Sequence, residues 1–187
     1  MGKLIIFSAP SGSGKTTIVR RLMGVVDGLE FSVSATSREP RGVEQNGRDY
    51  YFLTNQEFDR KVAEDAFVEW EEVYAGTKYG TLRSELERIW AEGHTILFDV
   101  DVKGGVRLKS IFGADALSIF VMPPSIEELR NRLIGRATDS PEKIEQRIAK
   151  AGEELSYAEQ FDLVIVNDDL EDAVGKVQEA VESFIAK

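Results

Sequence analysis

Leu4-Ile5-Ile6-Phe7 is an unbroken apolar run, the pattern of a strand buried on both faces. The pattern then breaks into small and polar residues, Ala9 to Thr17, APSGSGKTT, and resumes at helical spacing with Ile18, Val19, Leu22 and Met23. A second strand is expected from near Leu29 to Ser34, and a short one over Tyr50 to Leu53. Thr54 with Glu57 forms a capping box for a helix through about Glu64. Phe67, Glu69 and Glu71 alternate with Val68, Trp70 and Glu72, which predicts a strand with one wet face. The segment from about 35 to 81 lacks long buried strands and reads as an inserted subdomain. Beyond it the pattern predicts a helix from Leu82 to Ala91, a buried strand from Thr95 to Val100, a helix over 104–111 and a strand from Leu117 to Met122. Ser125 with Glu128 forms a second capping box, for a helix to about Ile134. Pro141 suits the first turn of a helix running to about Ala158. Leu163 to Val166 reads as the last buried strand, and a closing helix spans Leu170 to Ile185. Buried strands alternating with helices predict an α/β fold with a parallel sheet flanked by helices.

Composition narrows the function classes. The chain has 187 residues, of which 42% are hydrophobic, enough for one core with insertions. No apolar run is long enough to span a bilayer and none reads as a signal peptide, so the cytoplasm is the expected location. Cysteine is absent, which excludes disulfides and thiolate metal sites. A net charge of −10 disfavours nucleic acid or an anionic membrane as a partner. In so acidic a chain, clustered arginines carry information.

The loop between the first strand and helix carries the strongest chemical signal. Gly12 and Gly14 let the backbone curl until successive N–H groups converge on one anion. The helix that follows aims its N-terminal donors and dipole at the same point. Lys15 can reach the β- and γ-phosphates of a nucleotide, and the Thr16 hydroxyl can ligate magnesium. The strict phosphate-loop pattern begins with glycine where this chain has Ala9. A side chain with a Cβ resists positive φ, so Ala9 is expected at negative φ. Asp99 and Asp101 are expected on one face at the C-terminal end of their strand, where open parallel sheets border their ligands. Arg38, Arg41 and Tyr50 group phosphate-capable side chains within the insert. Arg132, Arg136 and Arg147 would alone read as a solvated helical hairpin. Beside a phosphate loop they read as an arm that stabilises charge on a transferring group. His94, the only histidine, reads as a solvated turn residue.

The stretches SAPSGSGKTT, FSVSATSREPRGVEQNGRDYYF, FVEWEEVYAGTKYGT, ILFDVDVKGG and NRLIGRATDSPEKIEQRI with VIVNDDL make the chain similar, over essentially its whole length, to the guanylate kinases in their small bacterial form. The resemblance implies a phosphate-loop NTPase core, over 1–34, 82–124 and 159–187, with a GMP-binding insert over 35–81 and a lid region over 125–158. It implies transfer of the ATP γ-phosphoryl group to GMP with Mg²⁺, in a monomer or homodimer with no nucleic-acid or membrane partner. By position, Ser11, Gly12, Ser13, Gly14, Lys15, Thr16 and Thr17 would serve ATP, with Arg132 at the ATP side and Asn167 close to the adenine. Thr16 and Asp99 would serve the metal. Arg38, Arg41, Tyr50 and Tyr79 would hold the GMP phosphate, while Ser34, Glu69, Thr81 and Asp101 would read the guanine. Lys15, Arg136 and Arg147 would act on the transferring phosphate. The chain departs from the usual pattern at Ala137 in the lid and at Lys78 before the guanine-reading threonine. A kinase of the same fold acting on another phosphorylated acceptor, or a non-catalytic interaction module of this family, are the alternative readings.

Overall fold

The computed structural model describes residues 2–74, 76–135 and 140–187. The chain divides into two compact units, Met1–Leu29 with Leu97–Lys187, and Glu30–Ile96. The second unit reaches further in both directions than the block lacking long buried strands. The helices of the 125–158 region belong to the first unit.

The first unit holds the parallel sheet. Strand β1 (Leu4–Ser8) is buried at every position. Helix α1 (Lys15–Met23) follows it directly after the loop, as the pattern predicts. Strand β2 (Leu29–Phe31) is shorter than expected, and Ser32 to Ser34 lie outside any strand. The last residues of β7 (Thr95–Asp99), then β1, β8 (Ala116–Met122) and β9 (Leu163–Val166) stand side by side in that order. The β1–β8 and β8–β9 pairs are parallel. On one face, Ile5, Phe7, Ile119, Val121 and Ile165 pack with Ile18, Val19 and Leu22 of α1 and with Val174, Val177 and Val181 of the closing helix α7 (Leu170–Ile185). On the other face, Phe120 packs against Val102 of α4 (Val102–Phe112) and against Phe161. Strand β9 corrects the expectation of a buried strand. It is the sheet edge, so only Ile165 is buried while Val164 and Val166 are exposed.

Helices α5 (Ile126–Gly135) and α6 (Pro141–Leu155) pack through Leu129, Leu133, Ile144, Ile148 and Ala151. Only one half of the Ser125 capping box forms. Ser125 Oγ accepts from Glu128 N at 3.0 Å, but the Glu128 carboxylate accepts from Arg132 Nε at 2.9 Å. A cation one turn along the helix competes for the carboxylate that would otherwise turn back to the cap. Helix α6 stops at Leu155, short of Ala158, and a 3-10 turn over Ala158–Gln160 follows.

The second unit is a four-stranded sheet with two helices. Its strand order is β4 (Tyr51–Phe52), β3 (Ala35–Thr36), β6 (Thr77–Leu82), β5 (Phe67–Tyr74). Helix α2 (Asn55–Ala63) has the full Thr54–Glu57 capping box. Its Phe58 is fully buried and stacks on Phe67 with ring centroids 4.4 Å apart. Helix α3 (Arg83–Ala91) follows β6 without a gap.

The β5–β6 hairpin differs from the simple alternation. Phe67 pairs with Leu82 and Glu69 with Thr81, so an extra β5 residue is accommodated around Val68. Such a bulge reverses which side chains share a face. Phe67 and Trp70 both reach Phe58, and Glu69 turns to the opposite side with Thr81. Gly80 faces the crowded side. A Cβ there would lie 2.8 Å from the Glu69 carbonyl oxygen, 2.8 Å from Trp70 Cβ and 2.9 Å from the Phe67 ring. Backbone oxygen and Cβ cannot swing aside. Gly80→Ala is therefore expected to destabilise the protein by about 1–3 kcal/mol through overpacking. An unchanged urea midpoint would overturn this reading of the hairpin.

Candidate functional site

The first unit presents a glycine-turned loop at the N-terminus of α1. Gly12 (φ 100°) and Gly14 (φ 92°) occupy the left-handed region, which lets the loop curl back on itself. Ser13 N donates to the Pro10 carbonyl at 3.1 Å and closes the turn. Asp65 is the one described non-glycine residue with positive φ, so Ala9 keeps the negative φ expected of it. Gly14 caps α1, and Thr17 and Ile18 N–H groups return to its carbonyl. The loop, with Lys15, Thr16, Thr17, Asp99, Val100, Asp101 and Glu154, encloses a cavity of about 350 Å³. Lys15 Nζ pairs with the Asp99 carboxylate and lies 3.3 Å from the Val100 carbonyl. From α6, Arg147 Nη1 donates to Ser11 Oγ at 2.7 Å, which brings a second cation to the loop. Arg136 and Ala137 lie outside the described residues.

Asp101 is not part of the strand. Strand β7 ends at Asp99, and Asp101 caps α4, its Oδ1 accepting from Gly104 N at 2.7 Å. Face-sharing by alternation therefore does not apply, although both carboxylates line the cavity. Asn167, expected close to the adenine, packs against the loop. It is buried, and its Nδ2 donates to the Ser13 carbonyl at 2.7 Å. A Cβ on Gly14 would lie 2.2 Å from that nitrogen. Arg132 Nη2 donates to the Asn167 carbonyl at 3.0 Å. Arg132, Asn167, Gly12, Gly14 and Thr17 border a second cavity of about 330 Å³ beside the loop.

The second unit presents a different set of groups. The Arg38 guanidinium lies 4.9 Å from the Tyr50 ring centre, and its Nε donates to the Tyr79 hydroxyl at 3.1 Å. Tyr50 and Tyr79 meet edge to face at 5.9 Å. The sequence reading missed Glu44, whose carboxylate accepts from both terminal nitrogens of Arg38 at 2.7 and 2.8 Å. It also accepts from Arg41 N at 2.7 Å, while the Arg41 residue is exposed. Two residues along β6 from Tyr79, Thr81 is buried and its hydroxyl donates to Glu69 Oε1 at 2.9 Å. Ser34 is half-buried and directly precedes β3. Lys78 pairs with Asp59. His94 is more than a solvated turn residue, since its Nδ1 lies 2.7 Å from Glu30 Oε2.

The bidentate bond from Arg38, with Arg41 N beside it, holds the Glu44 carboxyl down to about 2 from its ordinary 4.5. A depressed folded-state value means the pair contributes fully above about 4.5 and is lost as pH falls through about 2. A carboxyl-carbon NMR titration should therefore place the Glu44 midpoint near 2, and Arg38→Ala should return it toward 4.5. A midpoint near 4.5 with Arg38 present would show that the pair does not persist in solution.

Comparison with known proteins agrees with this geometry. The family model described as guanylate kinase matches residues 1–184. The guanylate kinase of Porphyromonas gingivalis is 55% identical over 188 residues, covering 100% of both chains. That of Bacteroides thetaiotaomicron is 55% identical over 186 residues, covering 100% of this chain and 91% of the relative. The crystal structure of guanylate kinase from Anaplasma phagocytophilum superposes with a TM-score of 0.72 at 31% identity, covering 100% of this chain and 87% of that one. With a phosphate loop in one unit, an arginine–tyrosine cluster in the other and relatives matched end to end, the chain belongs to the guanylate kinase family.

Proposed function

We propose that the chain transfers the γ-phosphoryl group of ATP to GMP, giving ADP and GDP. The carrying observation is the set of side chains gathered on one face of the second unit's sheet. Glu69, Thr81 and Tyr79 share that face, and Arg38 and Tyr50 gather at Tyr79. Thr81 and Tyr79 are two positions apart on one strand, about 7 Å. A carboxylate with two adjacent acceptors thus sits a ribose-scale distance from an anion site, which suits a guanine nucleotide with one phosphate. In this reading Arg38, Arg41, Tyr50 and Tyr79 hold the GMP phosphate, and Arg38 exchanges Glu44 for it. Glu69, Thr81 and Ser34 meet the guanine edge.

The donor side rests on the phosphate loop. Its backbone N–H groups and the α1 N-terminus hold the ATP phosphates. Lys15 meets charge developing between the β- and γ-phosphates, and Arg147, already at Ser11, adds positive charge beside the loop. Asn167 holds the loop through Ser13, and Arg132 braces Asn167. Arg136 is proposed as a further lid cation from its position in the family motif. The Thr16 hydroxyl and the Asp99 carboxylate line the same cavity and are the hard oxygen donors that Mg²⁺ favours. The ion would neutralise phosphate charge, and Asp99 becomes available to it once Lys15 turns to the nucleotide. A kinase drawing on ATP is proposed to work in the cytoplasm, as a monomer or homodimer.

The test is a steady-state assay with ATP, Mg²⁺ and a panel of nucleoside monophosphates and sugar phosphates. ADP should form with GMP and at most slowly with AMP. Turnover of a different acceptor would reassign the substrate, and no turnover with any would favour an interaction module.

A further inference from the structure

We propose that Glu85 is a positioning residue that sets the place of Ser34 for guanine recognition. The inference rests on the reading of Ser34 as a guanine contact and adds a residue that no spacing argument reveals.

Glu85 lies in the first turn of α3 and is 2% exposed. A carboxylate so deeply buried is strongly destabilising unless its oxygens are paired. Here each oxygen has a charged and a neutral donor. Oε1 accepts from Val33 N at 3.1 Å and from Arg88 Nη2 at 3.1 Å. Oε2 accepts from the Tyr51 hydroxyl at 2.7 Å and from Arg88 Nε at 3.1 Å. Burial pushes the carboxyl up, but the bonds from Arg88, Tyr51 and Val33 outweigh it and keep Glu85 ionised. Arg88 is itself fixed by Glu30 at 2.5 Å and Glu92 at 3.1 Å.

The two neutral donors converge on the stretch around Ser34. Val33 precedes it and lies outside any strand, so its N–H has no ladder partner of its own. The Ser34 carbonyl accepts from Tyr51 N at 2.9 Å. Ser34 is therefore held on one side through the Val33 backbone N–H and on the other through Tyr51, whose hydroxyl, like that N–H, ends at Glu85. The Ser34 hydroxyl makes no hydrogen bond to any described residue, which leaves it for a ligand. Glu85 faces the interior and acts only through this backbone.

A purely structural residue would lower the fraction of folded enzyme without changing the KM of what remains. A positioning residue changes KM for GMP. In Glu85→Gln a single carbonyl oxygen cannot serve both donors, and its amide opposes Arg88. KM for GMP should rise about fivefold to twentyfold, with kcat at saturating GMP and KM for ATP within about twofold of wild type. In a Ser34→Ala background the same change should move KM for GMP by less than about twofold, because the group it positions is gone. Tyr51→Phe keeps the Glu85–Arg88 pair and should shift KM for GMP in the same direction by less. It serves as the readout if Glu85→Gln does not fold.

An unchanged KM for GMP in both Glu85→Gln and Tyr51→Phe would overturn the proposal while leaving the kinase reading intact. An equal shift with and without Ser34 would overturn it in the same way. A wild-type enzyme that does not phosphorylate GMP would overturn the functional reading and this proposal with it.

Discussion

Lys15→Ala should lower kcat by about 10²–10³ while the protein stays folded, the loss typical of removing one donor aimed at charge that grows in the transition state. The fold should survive because α1 is anchored elsewhere. Ile18, Val19 and Leu22 carry its packing, and Gly14 supplies the cap. The deletion leaves the Asp99 carboxylate, which is 32% exposed, without its lysine, and water can take that place. The KM for ATP should change less than kcat, since the N–H groups of the loop hold the phosphates in the ground state too. Circular dichroism and a melting curve establish the folded state, and turnover at saturating ATP and GMP gives the effect. Near-wild-type kcat in a folded variant would remove the phosphate loop from the mechanism.

The second large effect concerns the base. Guanine presents N1–H and N2–H₂ side by side, and a carboxylate offers two acceptors at matching separation. Glu69 shares a sheet face with Thr81 and Tyr79, and one of its oxygens receives the Thr81 hydroxyl, which orients the carboxylate. Adenine has an unprotonated N1 and no N2 group, so AMP would set a lone pair against a negative charge. Sites built to bond a substrate group reject analogues lacking it by up to about 10⁴–10⁵. Glu69→Ala should therefore reduce kcat/KM for GMP at least about tenfold, the scale of one charge-assisted hydrogen bond. KM for ATP should barely move, because the phosphate loop belongs to the other unit. The variant should not gain AMP activity, since deleting a repulsion supplies no partner for adenine. Unchanged kcat/KM for GMP would reduce Glu69 to an ordinary strand residue.

The sequence by itself determined the features whose causes are local. An apolar run, two glycines and a helical repeat dictate β1, the loop and α1, because each depends on residues a few positions apart. The Thr54–Glu57 box and the bounds of α7 are legible for the same reason. Tertiary structure decided the rest. The strand β6, TKYGTL, carries a glycine and no apolar run, and it is held in place because β5 and β3 pair with it on either side. The bulge near Val68 reverses a plain alternation and turns Glu69 away from Phe67, a choice made by Phe58 packing from another element. Asp101 leaves the strand because three residues later a free helix N–H needs an acceptor. Asn167 meets Ser13 across 154 positions, and Glu85 meets Val33 across 52. Buried N–H and C=O groups must find partners wherever the folded chain brings them, and no pattern read along the sequence carries those distances.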